Sequence, residues 1–320
     1  MSLSEFQLIN KYFARQRIRR GDVVLGIGDD AALLRVPPGM ELAVAIDAMV
    51  EGRHFPVGTD PFSIGHKVLA VNLSDMAAMG ADPAWATLAI SLPEANEAFV
   101  AGFTEGLFSL AHQFGVELVG GDTVRGPLMA VVQMHGFVPA GKGIKRNGAF
   151  PGDAIYVTGT LGDAGVALNK ILNHEPCSDA LRQRLERPEP RVREGISLRG
   201  IASAAIDVSD GLVADLGHIL DSSGVGATLE VDALPLSSHL LDVVADPEMQ
   251  WQYALASGDD YELCFCVSPH RESMLLNMAQ SWPCGLTRIG TIDSEAGLRL
   301  KRRDGSPFEL KAHGFDHFAE

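Results

Sequence analysis

The sequence predicts an α/β protein that folds into two domains. Short β-branched or apolar segments alternate along the chain with segments whose alanines and leucines recur at helical spacing, which is typical of strands followed by helices. Near the middle, the segment KGIKRNGAFPGD is rich in glycine and basic residues and has no periodicity. The 320 residues, 46% of them hydrophobic, can bury a core in each half. We therefore expect an N-terminal domain over residues 1–140 and a C-terminal domain over residues 150–320.

The N-terminal domain is predicted to begin with an amphipathic helix over residues 4–19, with Ser4 as its N-cap. Two strands should follow, in VVLGIGDDAALLRV and ELAVAIDAMV, because the turn signal PPG separates them. Residues 60–79 and 98–114 have the helical pattern of alanines and leucines. Further strands are predicted at VELVG and PLMAVVQMHGFVP.

The pattern restarts in the C-terminal domain with the predicted strand AIYVTGT. Helices are predicted over residues 164–172, 181–184 and 270–280, and AAIDVSDGLVADLGHIL has the pattern of a strand, a loop and a helix. Later strands are predicted at GATLEV, ELCFCV and LTRIGTI. Because an Asp-rich turn occurs in both halves, GIGDDAA and IDVSDGL, we expect the two domains to share one active site.

Composition argues against several classes of function. Acidic residues number 41 against 26 basic ones, a net charge of −15, which disfavours binding of nucleic acid through its phosphates. The N-terminus has no apolar h-region, and no apolar run approaches the roughly 18 residues that a membrane span needs. The four cysteines form no CxxC pair and are interpreted as reduced thiols. We expect a cytoplasmic protein that binds neither nucleic acid nor a membrane.

Aspartates in small-residue loops after apolar strands are the strongest chemical signal. A carboxylate in such a setting must be hydrogen-bonded, paired with a cationic side chain or bound to a metal ion, and few basic residues lie near these loops in the sequence. A single Asp of this kind is more often a cap of a helix or turn. The set as a whole suits Mg²⁺, which prefers hard oxygen ligands. Its members are Asp29, Asp30, Asp47, Asp75, Asp122, Asp207 and Asp210.

Glycine pairs accompany several of these aspartates, as in GIG at 26–28, GG at 120–121 and SG at 257–258. Glycine allows backbone N–H groups to approach a phosphate, although each pair alone is more often a tight turn. The third glycine of GxGxxG and the whole of GxxxxGK[ST] are missing, so a Rossmann site and a P-loop are disfavoured. His54 could be a substrate donor, a base or an exposed turn residue, and the basic loop at 142–146 could be a phosphate lid or a solvated surface.

Seven motifs are distributed over the chain from end to end. They are GIGDDAALL, DAMVEGRHF, KVLAVNLSDMAAMGADPAW, GGDTVRGP, IDVSDGL, SGDDYELCF and GFDHF. Together they resemble the thiamine-monophosphate kinase family. Two short ones, GGDT and SDGL, also occur across the wider aminoimidazole-ribonucleotide synthetase superfamily, whereas the order of all seven is specific. The rival interpretations are a synthetase of the superfamily that activates an amide or selenide oxygen, and a non-catalytic sensor of nucleotide or metal.

The resemblance implies a two-domain aminoimidazole-ribonucleotide synthetase-like fold. Its N-terminal mixed sheet dimerises through its strands, and its C-terminal domain, also α/β, completes the site for ATP and substrate. The implied reaction, the last step of thiamine diphosphate biosynthesis, is direct in-line transfer of the ATP γ-phosphoryl to thiamine monophosphate. Several Mg²⁺ ions would serve as cofactors, with ATP as co-substrate and a homodimer as the assembly.

The resemblance also assigns residues by position. The implied metal ligands are Asp30, Ala45, Ile46, Asp47, Asp75, Asp122, Asp207 and Asp210. The implied ATP contacts are Gly121, Asp122, Arg146 and Ser209, and the implied substrate contacts are His54, Asp259 and Phe315. Three departures from the family pattern occur. Ala45 and Ile46 replace Ser or Thr and would offer only carbonyl oxygens, SGDDYEL replaces GGEDYEL, and Phe315 replaces Tyr or Trp.

Overall fold

A computed structural model describes residues 5–14 and 18–311, with only the backbone of the first two. The chain divides into two compact units. Unit 1 comprises Met1–Met76 and Ala81–Gly141, and unit 2 comprises Ala77–Gly80 and Lys142–Glu320. Within the described ranges, none of the helices has the length and apolar character required to cross a bilayer.

Unit 1 contains a four-stranded mixed sheet and two long helices. The sheet has the order β3-β6-β4-β5, with β4 and β5 parallel and the other pairs antiparallel, and β1 and β2 form a separate small ribbon. Its elements are α1 (Glu5–Leu8), a π-helical turn (Ile9–Phe13), β1 (Val23–Leu25), β2 (Leu33–Leu34), β3 (Met40–Val50), α2 (Pro61–Ala78), β4 (Asp82–Leu92), α3 (Glu97–Phe114), β5 (Glu117–Arg125) and β6 (Met129–Pro139).

The first predicted helix differs from the observed one. The prediction was a continuous helix over residues 4–19, but α1 gives way to a π-helical turn after Leu8, and Ser4 lies outside the described residues. A π turn brings residues five apart to the same side, and here it buries both Leu8 and Phe13. Burial of these two side chains therefore accounts for the wider turn.

Helices α2 and α3 pack with their backbones in contact. A Cβ atom on Gly65 would lie 1.9 Å from the carbonyl oxygen of Phe103, and one on Gly106 would lie 2.0 Å from that of Phe62. Only glycine fits at either position. Helix α2 also covers one face of the sheet, because a Cβ on Gly136 of β6 would lie 2.8 Å from the sulfur of Met76.

The other face of the sheet carries an apolar stripe along its outer strand β3. Met40, Leu42, Val44 and Ile46 alternate along this strand and are 38–62% exposed. Alternate residues of a strand share one face, so the four side chains lie in one row. We call this row the β3 stripe.

Unit 2 contains a six-stranded sheet of order β12-β9-β11-β7-β10-β8, antiparallel except for β9 and β12. Strand β10 has no exposed residue, and the core contains aliphatic residues of α7 such as Leu212, Leu216 and Ile219. The elements are β7 (Ala154–Thr158), α4 (Asp163–Leu172), α5 (Asp179–Glu186), α6 (Val192–Ser197), β8 (Ala202–Asp207), α7 (Leu212–Ser223), β9 (Gly226–Glu230), a 3₁₀ turn (Val231–Ala233), α8 (Ser238–Val243), α9 (Pro247–Ala256), β10 (Leu263–Val267), α10 (Glu272–Ala279), β11 (Leu286–Asp293) and β12 (Gly297–Lys301).

Candidate active site

In unit 1, one cleft gathers the first Asp-rich turn and the glycine pair of β5. The cleft has a volume of about 730 Å³, and Asp29, Asp30, Gly121 and Asp122 all line it. A Cβ on Gly121 would lie 2.0 Å from the carbonyl oxygen of Leu88, so glycine is required for β5 to approach β4 here. The structure thus brings Asp30, Gly121 and Asp122 to a single concave surface.

The sheet register separates Asp47 from this cleft. Across the sheet, Asp47 of β3 pairs with Val132 of β6, and Val132 pairs with Leu88 of β4. Leu88 pairs in turn with Gly121 of β5, and Asp122 is the next residue of that strand. Three strand spacings therefore separate Asp47 from Asp122, a distance of about 14 Å. Successive residues of a strand face opposite sides, so Asp47 faces the side of buried Val132 whereas Asp122 faces the other side. One copy of the chain cannot bring these two carboxylates to the same ion.

Ala45 and Ile46 precede Asp47 on the outer strand β3. Ala45 is half-buried, and the Ile46 side chain belongs to the exposed β3 stripe. Successive carbonyl groups of a strand point to alternate sides. One of these two carbonyls therefore points towards β6 and the other towards the open edge of the sheet.

His54 lies in a tight loop that follows β3. Its Nδ1 accepts a hydrogen bond from the backbone N–H of Val50 at 3.1 Å, so the neutral ring carries its proton on Nε2. The loop is also held by Lys67 of α2, a buried residue whose Nζ donates to the His54 carbonyl oxygen at 3.2 Å. Asp75 lies half-buried two turns further along the same helix.

In unit 2, a loop rich in carboxylates connects β8 to α7. Strand β8 ends at the buried Asp207, and Ser209 and Asp210 follow before α7 begins. The carboxylate of Asp215, on the first turns of α7, accepts backbone N–H groups of Ser209 at 2.9 Å, of Asp210 at 3.0 Å and of Gly211 at 3.2 Å. These donors are therefore already used within the protein, and the loop presents carboxylates and a hydroxyl rather than an N–H nest for phosphate.

Charge is concentrated at this loop. Burial, followed by the charges of Asp207 and Asp210, raises the pKa of Asp215 to about 7. Because the charges of both neighbours contribute to this rise in addition to burial, the three carboxylates lie close enough to repel one another. The sequence interpretation included Asp207 and Asp210 but missed Asp215. The signal was an acidic residue on the apolar face of an amphipathic helix, which burial makes costly without a structural role.

The segment Gly258–Glu262 lies directly beside this loop. The N–H of Asp259 donates to the carbonyl oxygen of Ser209 at 2.8 Å. The structure therefore places the predicted substrate residue Asp259 next to the predicted ATP residue Ser209 and the predicted ligand Asp210. Two further acidic residues, Asp260 and Glu262, point into the interior and are 2% and 0% exposed.

Arg146 lies on an exposed loop that runs along β8. Its carbonyl oxygen accepts the hydroxyl of Ser223 at 3.1 Å, and the carbonyl oxygen of Lys145 accepts the N–H of Ala205 at 3.2 Å. The backbone of this loop is thereby fixed while the guanidinium is exposed. Its role as a lid stays a prediction. Phe315 lies outside the described residues.

Within residues 5–14 and 18–311, no three histidine, cysteine or acidic side chains are gathered as a ready metal site. Asp207 and Asp210 nevertheless fit a divalent cation chemically, because hard oxygen donors crowd around a third buried carboxylate there. The metal assignments of both units stay predictions.

Comparison with known proteins reveals matches over nearly the whole chain. Residues 28–138 match the family described as AIR synthase related protein, N-terminal domain, and residues 151–303 match its C-terminal domain. The thiamine-monophosphate kinase of Salmonella typhimurium is 47% identical over 100% of this chain and 99% of its own length, and that of Escherichia coli K12 is 46% identical with the same coverage. The chain belongs to the thiamine-monophosphate kinase family.

Solved structures agree with this membership. The crystal structure of thiamine-monophosphate kinase from Stenotrophomonas maltophilia is 47% identical, has a TM-score of 0.87 and covers 96% of this chain and 99% of its own. A structure described as AaThiL complexed with AMPPCP and TMP is 30% identical, with a TM-score of 0.77 over 88% of this chain and 89% of its own. The resemblance and the two-domain α/β fold predicted from the sequence are both confirmed.

Proposed function

We propose that this member of the thiamine-monophosphate kinase family transfers the γ-phosphoryl group of ATP to the phosphate of thiamine monophosphate, giving thiamine diphosphate and ADP. The observation that carries the proposal is full-length identity of 46–47% to kinases of that name. The AaThiL structure supports it, because AMPPCP is a non-hydrolysable analogue of ATP and TMP is the abbreviation of the acceptor. Family membership confirms the predicted enzyme class, an ATP-dependent phosphotransferase.

Mg²⁺ is the proposed cofactor, since donor and acceptor both carry anionic phosphates. When bound, it would supply positive charge that offsets the repulsion between them. Asp207 and Asp210 would hold it in unit 2, and the remaining predicted carboxylates would do so in unit 1. Asp215 keeps the loop of Asp207 and Asp210 in place through its three backbone contacts. Whether the two units contribute to one site stays a prediction.

His54 is proposed to orient the acceptor phosphate. Because its Nδ1 already accepts the N–H of Val50, the ring can act on a phosphate only through Nε2, and in the neutral form that nitrogen is a donor. A donor at this point would hold a phosphate oxygen. It would not remove a proton, which is consistent with phosphoryl transfer between positioned groups.

A homodimer is proposed from the sheet of unit 1. The β3 stripe is an exposed apolar row on an outer strand, which is a surface that a second copy of the chain would cover. Asp47 lies on the face of β3 opposite to the stripe, so the open edge of this strand must also take part. With that edge set against β5 of the second copy, Asp47 of one copy and Asp122 of the other would lie on neighbouring strands. We propose that the metal site of unit 1 is completed in this way.

A cytoplasmic location is also proposed, since all four cysteines are free thiols and ATP is the co-substrate.

The activity is tested by incubating the protein with ATP, Mg²⁺ and thiamine monophosphate and identifying the product by mass. Thiamine diphosphate and an equal amount of ADP are expected. Free thiamine and a reaction without acceptor serve as controls and should release no ADP. Absence of thiamine diphosphate under these conditions would contradict the proposed reaction.

The shared metal site is tested by mixing two inactive variants, Asp47→Asn and Asp122→Asn. Each alone should lose most activity because every site lacks one ligand. Mixed heterodimers, formed by unfolding and refolding the variants together, contain one intact site in two, so the mixture should recover roughly a quarter of wild-type activity. Recovery of none, with heterodimers verified by mass spectrometry, would show that both ligands act within one copy or in different sites.

A further inference from the structure

The segment Gly258–Glu262 adopts a costly backbone conformation. Among the residues that the structure describes, only three non-glycine residues have a positive φ, and two of them are Asp259 at 59° and Tyr261 at 51°. This region is disfavoured for residues with a Cβ, especially bulky ones such as tyrosine. Two such residues within three positions are found where the surrounding structure imposes the conformation, often at functional sites.

Contacts on both sides of the segment impose it. On one side, the N–H groups of Asp259 and Tyr261 donate to the carbonyl oxygens of Ser209 and Val208, both at 2.8 Å. A Cβ on Gly258 would lie 2.3 Å from the Ser209 carbonyl oxygen, so the two backbones touch. The strained segment is therefore fixed directly against the loop that bears Asp210.

On the other side, two buried carboxyl groups anchor the segment in the core. Asp260 accepts the N–H of Gly162 at 2.9 Å, and Glu262 accepts Nε and Nη2 of Arg191 at 2.7 and 2.6 Å. With residues 260 and 262 directed into the core, the side chain of Asp259 is left half-exposed beside the loop, and Tyr261 is 8% exposed.

A contact of its hydroxyl group explains the position of Tyr261. Its hydroxyl donates to Oδ1 of Asp259 at 3.0 Å. This bond restricts rotation of the carboxylate and engages one of its two oxygens. An ionised carboxylate has only acceptor sites, so the orientation prepares Asp259 for a hydrogen-bond donor, while a phosphate at the same place would be repelled.

We propose that Tyr261 is a positioning residue that directs Asp259 at the amino group of the pyrimidine ring of thiamine monophosphate. That amine is the N–H donor of this substrate, because its hydroxyl is esterified. The inference rests on the proposed function and deepens it. It assigns the side chain of Asp259 to the organic end of the acceptor, while the adjoining loop of Ser209 and Asp210 serves the phosphates and Mg²⁺.

The test is Tyr261→Phe, which removes only the hydroxyl. The KM for thiamine monophosphate should rise about 5–10-fold, the value of one hydrogen bond, while the KM for ATP changes less than about 2-fold. Tyr156→Phe is the matched control, since its hydroxyl donates to Glu272 at 3.0 Å elsewhere in unit 2. The control should leave both KM values unchanged. An equal rise of both KM values in Tyr261→Phe, or no rise, would overturn the inference.

An analogue of thiamine monophosphate with an oxo group in place of the amine tests the ring assignment. Wild-type protein should bind it about 10-fold more weakly in calorimetry without ATP, and Tyr261→Phe should lose most of that discrimination. Asp259→Asn should discriminate equally poorly, and the double variant no worse, which keeps the test decisive if one variant folds badly. Equal binding of both ligands by the wild type overturns the ring assignment. If wild-type protein forms no thiamine diphosphate, both the proposed function and this inference are wrong. If wild-type protein turns over normally and Tyr261→Phe has the wild-type KM for thiamine monophosphate, only the inference is wrong.

Discussion

Replacement of Glu262 by glutamine should strongly destabilise unit 2. The carboxylate is fully buried and accepts Nε and Nη2 of Arg191 at 2.7 and 2.6 Å, Nη2 of Arg184 at 3.0 Å and the hydroxyl of Thr158 at 2.7 Å. Glu262→Gln keeps the volume but removes the negative charge and turns an NH₂ group towards at least one guanidinium. Arg191, whose side chain is 7% exposed, is then a buried charge that depends on Glu189, a carboxylate at 3.1 Å whose side chain is 65% exposed.

Loss of one member of a buried ion pair costs about 3–5 kcal/mol, which for a unit of this size lowers the melting temperature by about 6–20 °C. Differential scanning calorimetry measures the change. Glu248→Gln is the matched control, because Glu248 pairs with Arg302 at 2.6 Å but the two side chains are 47% and 34% exposed. An exposed pair is worth at most about 1 kcal/mol, so the control should melt within a few degrees of wild type. Equal melting temperatures for the two variants would refute the account of Glu262.

The effect of Glu262→Gln should also depend on pH. Burial alone would raise the pKa of Glu262, but the hydrogen bonds and charge of Arg191, with that of Arg184, outweigh burial and lower it from 4.5. A lowered folded-state pKa stabilises the protein above the unfolded value, and the contribution is lost as the pH falls through the folded value. The difference in melting temperature between the variant and wild type should therefore be constant near neutrality and shrink below about pH 4.5.

Three further results are expected. Burial raises the pKa of Asp260 well above 3.8, so the folded protein holds a proton that the unfolded chain releases as the pH rises. Above pH 3.8, wild type should therefore lose free energy of unfolding relative to Asp260→Asn, by up to about 1.4 kcal/mol per pH unit in urea titrations. A pH-independent difference between the two would contradict this. Gly106→Ala should lower the free energy of unfolding by about 2 kcal/mol or more in thermal unfolding, because its Cβ would meet a carbonyl oxygen at 2.0 Å. The control Gly217→Ala, in helix α7 with nothing within 4 Å of its Cβ, should raise it by about 0.5–1 kcal/mol. Val44→Asp, in the β3 stripe, should convert the proposed dimer to a monomer in light scattering; an unchanged mass would place the interface elsewhere.

Much of the secondary structure could be predicted from local pattern, but three helices and the strands β4 and β12 were missed. The strand predicted in VVLGIGDDAALLRV is in fact two short strands, β1 and β2. Helix α9 had a readable signal, since Asp246 caps it and Pro247 occupies its first turn. Helices α6 and α8 have only six residues each, too short for helical periodicity to emerge. Helix α8 nevertheless had a local start signal, since the hydroxyl of Ser237 caps it by accepting the N–H of Leu240 at 3.0 Å.

The candidate residues could be named from motifs, but their arrangement could not. Asp259 and Asp260 are adjacent and chemically identical, yet one lies beside the Ser209 loop and the other is buried against Gly162. That difference follows from a left-handed backbone that depends on contacts with a distant segment. Likewise, the separation of Asp47 from Asp122 follows from the strand order, which is fixed by pairings far apart in sequence.

The glycine contact between α2 and α3 has a consequence for motion. Because the two helix backbones are in direct contact, no flexible side chains lie between them that could rearrange. One helix could therefore slide past the other only after the two had separated. Asp75 lies ten residues beyond Gly65 on α2, and Lys67, which holds the loop of His54, lies two residues beyond it. Asp75 and Lys67 therefore lie on a rigid pair of helices. Their backbone order parameters should be as high as those of the sheet even in the absence of ligand.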